Sequence, residues 1–188
     1  MMGDSHNPTS THAQPMRHTH QLFEFVLLTT QHFTLLHRWL NEPHVAQWWD
    51  GPQSRAEVDH KFLANIGTHW IDSSIVCFSD TPIGFLQSYR AHEVGGGWWP
   101  EADAGVLGMD QFIGDVEYLH KGYGSAFIRQ YVAKIFASDL SVHECIADPD
   151  PTNIAAIKAY EKAGFLRDGP VSTPDGPALL MRLRRDHS

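Results

Sequence analysis

Only two cysteines occur in 188 residues, which excludes a disulfide-held scaffold. Cys77 and Cys145 each lie in an apolar run and read as buried free thiols, neither a bridge nor a nucleophile. Apolar residues make up 42% of the chain, yet no run approaches the roughly 20 residues that a membrane-spanning helix needs. Residues 1–20 lack the apolar centre of a signal peptide, so the expected location is the cytoplasm. Metal-ligand spacings such as His-Glu-x-x-His are missing, and no metal is expected. Basic residues are scarce: 14 Lys and Arg against 22 Asp and Glu leave a formal net charge of −8. That balance argues against nucleic acid or an anionic membrane as partner and suits a polycationic ligand. The scarcity is also local. Between Ala91 and His120 stand Glu93, Glu101, Asp103, Asp110, Asp115 and Glu117 with no Lys or Arg, beside Trp98 and Trp99. Acids without counter-charge next to paired aromatics favour a cation-binding surface.

What is present suffices for one domain of ordinary size over residues 21–188. Residues 1–20 are polar, contain His6, His12, His18 and His20, and are expected to form a disordered tail. Leu22–Leu28 predicts a first strand. Thr30 is placed to cap a helix over 31–40, with Phe33, Leu36 and Leu40 in an apolar stripe, and Pro43 to end it. Ser54-Arg55-Ala56-Glu57 is a capping box that starts a second helix. Between them lies a connection with Trp48 and Trp49, a pattern that suits a core anchor plus a lid. Runs over 70–79 and 83–90 predict a hairpin about Asp80-Thr81-Pro82. A strand over 104–113 carries Asp110, and runs over 165–171 and 178–184 close the chain with Pro174-Asp175-Gly176 at their tip.

The stretch from Phe112 to Phe165 carries the chemistry. In His120-Lys121-Gly122-Tyr123-Gly124-Ser125, two glycines two apart let successive N–H groups point into one concavity. A helix from Ser125 to about Phe136 adds the positive end of its dipole, and the combination suits a pyrophosphate. A strand over 143–147 then leads through Asp148-Pro149-Asp150-Pro151-Thr152 into a helix from Asn153 to Ala163, closed by Gly164. Asn153, Ile157 and Tyr160 share one face, with Tyr160 roughly 10 Å along the axis from Asn153 at about 1.5 Å per residue. One face can therefore hold a cofactor arm and its reactive end. The order of elements is that of an α/β chain with a mixed sheet, antiparallel early and parallel around the fourth and fifth strands.

These junctions resemble those of the GNAT acyltransferases, in which a Gly-x-Gly turn opening a helix grips the acetyl-CoA pyrophosphate and the next helix brings Asn and Tyr to the thiol. The departure is Leu119, where that family usually carries Gln or Arg. Further motifs, in order between Leu22 and Arg184, look like the aminoglycoside 6'-N-acetyltransferases. They are Trp39-Leu40-Asn41-Glu42-Pro43-His44-Val45-Ala46-Gln47-Trp48-Trp49, Gly97-Trp98-Trp99, Gly108-Met109-Asp110-Gln111, Tyr160-Glu161-Lys162-Ala163-Gly164-Phe165 and Thr173-Pro174-Asp175-Gly176-Pro177-Ala178.

The resemblance implies a GNAT fold, a mixed sheet of about seven strands with about four helices and acetyl-CoA in the splay between the fourth and fifth strands. It implies that Lys121, Gly122, Tyr123, Gly124, Ser125 and Asn153 hold the cofactor. Asp110 is the candidate for accepting the proton of the attacking amine, and Tyr160 for returning one to sulfur. Asp148 and Asp175, with Asp110, bind amino groups of the drug, while Trp98 and Trp99 wall the sugar and one of Trp48 and Trp49 faces substrate. The expected state is a monomer or weak dimer. Read without the resemblance, Asp148 equally suits a cap of its proline turn, Asp175 an ordinary turn position, and Tyr160 a half-buried helix residue. Acylation of hydroxylated lysine, as in siderophore synthesis, and a non-catalytic module that binds acyl-CoA or drug stay open beside the aminoglycoside reading. The acids of 91–120 and the Thr-Pro-Asp-Gly-Pro tip favour the aminoglycoside.

Overall fold

The computed structural model describes residues 22–94, 99 and 102–185; the expected tail over 1–20 and Trp98 lie outside the described residues. Among the described residues, strands β1 (Phe23–Leu27), β2 (Ile71–Phe78), β3 (Thr81–Arg90), β4 (Val106–Ile113), β5 (Glu144–Ala147), β6 (Leu166–Thr173) and β7 (Gly176–Arg184) form one sheet. Their order is β1-β2-β3-β4-β5-β7-β6, and the β4–β5 pair alone is parallel. Helices are α1 (Phe33–Leu40), α2 (Pro43–Ala46), α3 (Arg55–Asn65), α4 (Tyr123–Ser138) and α5 (Ile154–Ala163).

Three local readings change. Pro43 does more than end α1, because it opens the short helix α2, so the described residues hold five helices where four were expected. Proline at the first helical position forfeits an N–H that has no intrahelical partner anyway. Thr29, not Thr30, caps the turn that precedes α1, its N–H donating to His32 Nδ1 at 3.0 Å. The β2–β3 turn is Ser79-Asp80, with φ of 46° and 64°, the left-handed pair that a two-residue hairpin requires. Thr81 and Pro82 already belong to β3, where Pro82 sits opposite a register shift at Val76/Cys77 and so breaks no regular ladder. The predicted capping box is present: Ser54 N–H donates to Glu57 Oε2 at 2.6 Å, and Glu57 N–H to Ser54 Oγ.

Helices α4 and α5 cover one face of the sheet and α1 and α3 the other. Alternation along β4 divides its side chains: Leu107 and Met109 join the core under α4 and α5, and Phe112 joins the core under α1 and α3. Asp110, two residues from Phe112, therefore faces the α1/α3 side. Gly108 on that face is sterically required, since a Cβ would enter the ring of Tyr89. The parallel register of β4 with β5 lasts only from Val106 to Gly108, against Glu144 to Ile146. Beyond it, β4 continues with β3 as far as Ile113 while the chain after Ala147 turns away towards α5. The two strands part, and the backbone of β4 from Met109 onward loses its partner on that side.

Candidate active site

The glycine turn before α4 is built by backbone conformation. His120 and Gly122 both adopt positive φ, 60° and 81°, so the chain curls into a concavity before α4. Gly122 is the N-cap of α4 and brings no side chain that would consume the first-turn amides. The N–H groups of Tyr123, Gly124 and Ser125 have no intrahelical acceptor, and no acid lies in that turn. Ser125 Oγ donates backwards to the Gly122 carbonyl at 3.0 Å, which fixes the curl. Gly124 has an ordinary φ. A Cβ there would lie 3.8 Å from Ala159 Cβ and 3.8 Å from Ile113 Cδ1, so its lack of a side chain preserves the width of the cleft.

A cleft of about 360 Å³ runs from this turn along α5 to the end of β4 and α2. Gly122, Gly124 and Ser125 line it on one side, Asn153 and Ala156 on another, and Gln111 at the β4 end. Asn153 accepts from the Ala156 N–H through Oδ1 at 3.1 Å, which caps α5 and leaves Nδ2 as its remaining polar atom. The side chains of Lys121 and Tyr123 are not among those lining the cleft. Lys121 Nζ lies 5.8 Å from the Tyr118 ring, and Tyr123 packs with Phe78, Phe23 and Tyr118. What Tyr123 offers the cleft is its N–H. Leu119 does line the cleft, so this curl relies on backbone amides where the resemblance calls for a polar side chain.

A group of acids lies past the splay. Leu179 N–H donates to the Pro149 carbonyl at 2.9 Å, which extends the β5–β7 ladder and carries Asp148 towards the β6–β7 tip with Asp175. Asp150, not Asp148, caps the proline turn, accepting from Thr152 N–H at 2.7 Å and Thr152 Oγ1 at 2.6 Å. Asp148 is left free of that duty. Burial first, and then the charges of Asp110 and Asp175, push its carboxyl from 3.8 up to about 7. Asp110 is also raised, chiefly by burial and further by Asp175. A hydrogen bond from Gln87 Nε2, 2.8 Å, opposes that, as does the charge of Lys61. Half-buried Asp110 and Asp148 thus lie within reach of each other's charge and of exposed Asp175, and an arriving cation relieves their repulsion.

Tyr160 is buried on α5 in the core and does not itself line the cleft, although Asp110 and Asp148 are close enough to act on it. Its hydroxyl is buried and donates to the Met109 carbonyl at 3.1 Å, at the point where β4 loses β5. Burial, then Asp110 and Asp148, raise its phenol well above 10. It therefore stays protonated at every working pH. Tyr89, against Gly108, is raised for the same reasons.

The paired tryptophans divide. Trp49 packs edge-on to Phe112 at 5.0 Å and Phe85 at 5.9 Å, whereas Trp48 is 38% exposed; both line the cleft. Two contacts pin their segment: Gln53 Nε2 donates to the Trp49 carbonyl at 2.8 Å, and His44 Nε2–H to the Ile113 carbonyl at 2.9 Å. Trp99 is placed inside, 9% exposed, in a cluster with Val106, Ile146 and Leu180, its indole N–H unpartnered among the described residues. Its ring packs in that cluster and does not line the cleft. Gln87, Gln111, His44, His120 and Lys61 were missed by the sequence reading. Gln87, His44 and Lys61 each meet a neighbour distant in the chain, respectively Asp110, the Ile113 carbonyl and Trp49, whereas Gln111 and His120 line the cleft beside Asp110 and Lys121 in sequence.

Residues 29–173 match the model of the acetyltransferase (GNAT) domain, and the chain belongs to that family. It is 40% identical over 160 residues to aminoglycoside N(6')-acetyltransferase type 1 of Klebsiella pneumoniae, covering 82% of this chain and 79% of that one. The crystal structure of AAC(6')-Ib in complex with coenzyme A and kanamycin superposes with a TM-score of 0.80 at 38% identity, covering 87% of this chain and 95% of that one. Lysine N-acyltransferase MbtK of Mycobacterium tuberculosis is more distant, 30% identical over 132 residues that span 69% of this chain and 62% of the relative. Within the GNAT acetyltransferases the chain belongs with the aminoglycoside N(6')-acetyltransferases.

Proposed function

We infer that this protein transfers the acetyl group of acetyl-CoA to the 6'-amino group of aminoglycoside antibiotics, by direct attack and without a covalent enzyme intermediate. One observation carries the reading: Asp110, Asp148 and Asp175 act on one another beside the opening of β4 from β5, a concentration of negative charge that suits an antibiotic with several ammonium groups. Acetyl-CoA supplies the thioester. Gly122, Gly124, Ser125 and Asn153 hold it through backbone amides, the dipole of α4 and one amide side chain. Asp110 takes the proton of the attacking amine, Asp148 and Asp175 hold other ammonium groups, and Tyr160 donates to the departing thiolate. Release of free CoA with kanamycin, tobramycin and a hydroxylamine siderophore precursor tests the reading. Turnover with the first two supports it, and turnover with the hydroxylamine alone overturns it.

The cofactor turn makes a separate prediction. Gly124→Val narrows the cleft between α4 and α5, and calorimetry should find the acetyl-CoA dissociation constant raised by about tenfold, or about 1.4 kcal/mol. An unchanged constant removes this turn from the cofactor site.

Asp148 links pH to stability. Its folded carboxyl titrates near 7 against an ordinary 3.8, so the fold favours the protonated form. Stability is lost as pH rises from about 4 to about 7, and the full cost stands at pH 8. Because the side chain is only half-buried, solvent screening leaves about 1–2 kcal/mol of that cost, so Asp148→Asn should raise Tm at pH 8 by about 2–8 °C, at about 2–4 °C per kcal/mol for this chain length, and leave it unchanged at pH 4. The KM for kanamycin should rise in the same variant. A melting temperature at pH 8 equal to that of the parent would place Asp148 in a hydrated position instead.

A further inference from the structure

We propose that Lys61 is a resident counter-cation of the amine site, one that competes with the ammonium groups of the substrate and sets how strongly their charge favours binding. The proposal rests on the aminoglycoside reading and concerns how that same site discriminates among polyamines. On α3, Val58 and Phe62 are buried against the sheet, and Lys61 stands one turn beyond Val58 at the edge of that stripe. Its Nζ lies 5.7 Å from the centre of the Trp49 ring. Trp49 is edge-on to Phe112 at 5.0 Å, and Phe112 is two residues from Asp110 on the same face of β4. The ammonium thus reaches over the wall of the site that holds Asp110. Its charge lowers the Asp110 carboxyl against the effect of burial.

Lys61 is held there loosely. Its one ion pair among the described residues is to Asp50 Oδ2 at 3.0 Å, with side chains 39% and 72% exposed, a kind of pair that contributes little to stability. Asp50 projects from a left-handed turn, φ 62°, followed by Gly51 at 70°. A substrate ammonium approaching Asp110 meets the repulsion of Lys61, whose charge the exposed Asp50 carboxylate screens only in part. The acidic site is therefore tuned below its full attraction, and each further positive charge on the substrate is favoured less than the carboxylates alone would dictate.

The test uses Lys61→Gln, which keeps the stem and removes the charge, and Lys61→Arg, which keeps the charge. The KM is measured for kanamycin and for the monoamine 6-amino-6-deoxyglucose, at 20 mM and about 0.5 M NaCl. Lys61→Gln should lower the kanamycin KM at low salt by about two- to fivefold, the scale of a partly exposed charge pair. The gain should be smaller for the monoamine and should vanish at high salt, where the Debye length is about 4 Å. kcat and the acetyl-CoA KM should hold, and Lys61→Arg should match the parent. An unchanged or raised kanamycin KM in Lys61→Gln overturns the proposal, a rise marking Lys61 as a brace for the Trp49–Asp50 segment. If the parent acetylates no aminoglycoside, the reading beneath falls and this proposal with it; if it does and Lys61→Gln is silent, the proposal alone falls.

Discussion

Asp110→Asn is expected to depress kcat/KM for kanamycin by about 10²- to 10⁴-fold, the range for loss of a general base. The amine must shed a proton to attack, and no other carboxylate stands both on β4 and beside its opening from β5. Gln87 Nε2 donates to Asp110 Oδ2 at 2.8 Å, and an asparagine oxygen accepts the same bond, so the fold should persist. Melting should be unchanged or slightly higher, because a poorly hydrated carboxylate raised by its surroundings is removed. The pH profile separates base from mere anchor. In the parent, kcat/KM should rise on its acid limb with an apparent pKa above the ordinary aspartate value, whereas in Asp110→Asn that limb should change along with the loss of rate. A variant within about threefold of the parent rate, against that range, would return the proton to water.

Tyr160→Phe is expected to lower kcat with little effect on either KM, again within about 10²- to 10⁴-fold for a lost general acid. The phenol is protonated at neutral pH because burial and two neighbouring acids raise it, and so needs no activation to donate. Its hydroxyl rests on the Met109 carbonyl at 3.1 Å, a bond it gives up or shares when a thiolate forms nearby. The ring also packs against Phe165 at 5.2 Å between centroids, a contact that phenylalanine retains. Packing is thus preserved in the variant, and a loss of kcat reports the hydroxyl. If kcat survives within about threefold across the pH range, against the acid range above, Tyr160 belongs to the core of α5 and the proton comes from solvent.

Much of the fold was legible because it rests on short-range rules. The capping box at Ser54, the glycine stop at Gly164 and the alternation of β4 each involve residues within a turn of one another. The glycine turn was legible for the same reason, although only Gly122, and not Gly124, has the positive φ that favours glycine. The readings that moved, Pro43 opening α2 and Ser79-Asp80 turning the hairpin, were choices between two locally permitted conformations. Packing of α2 and sheet register decided them.

The chain by itself determined the class of the protein, because an α/β order, a Gly-x-Gly turn before a helix and a one-sided stock of acids are written in neighbouring residues. Tertiary structure decided which of those acids do chemistry. Asp148 and Asp150 are two residues apart in the same turn, and only the fold makes one a cap hydrated by solvent and the other a carboxyl that titrates near 7. It likewise turned Trp99 into the core and brought Lys61 over Trp49 towards Asp110. The reason is physical: desolvation and Coulomb interaction depend on the distance between groups in space, and for residues 49 positions apart that distance is not a property of the sequence pattern.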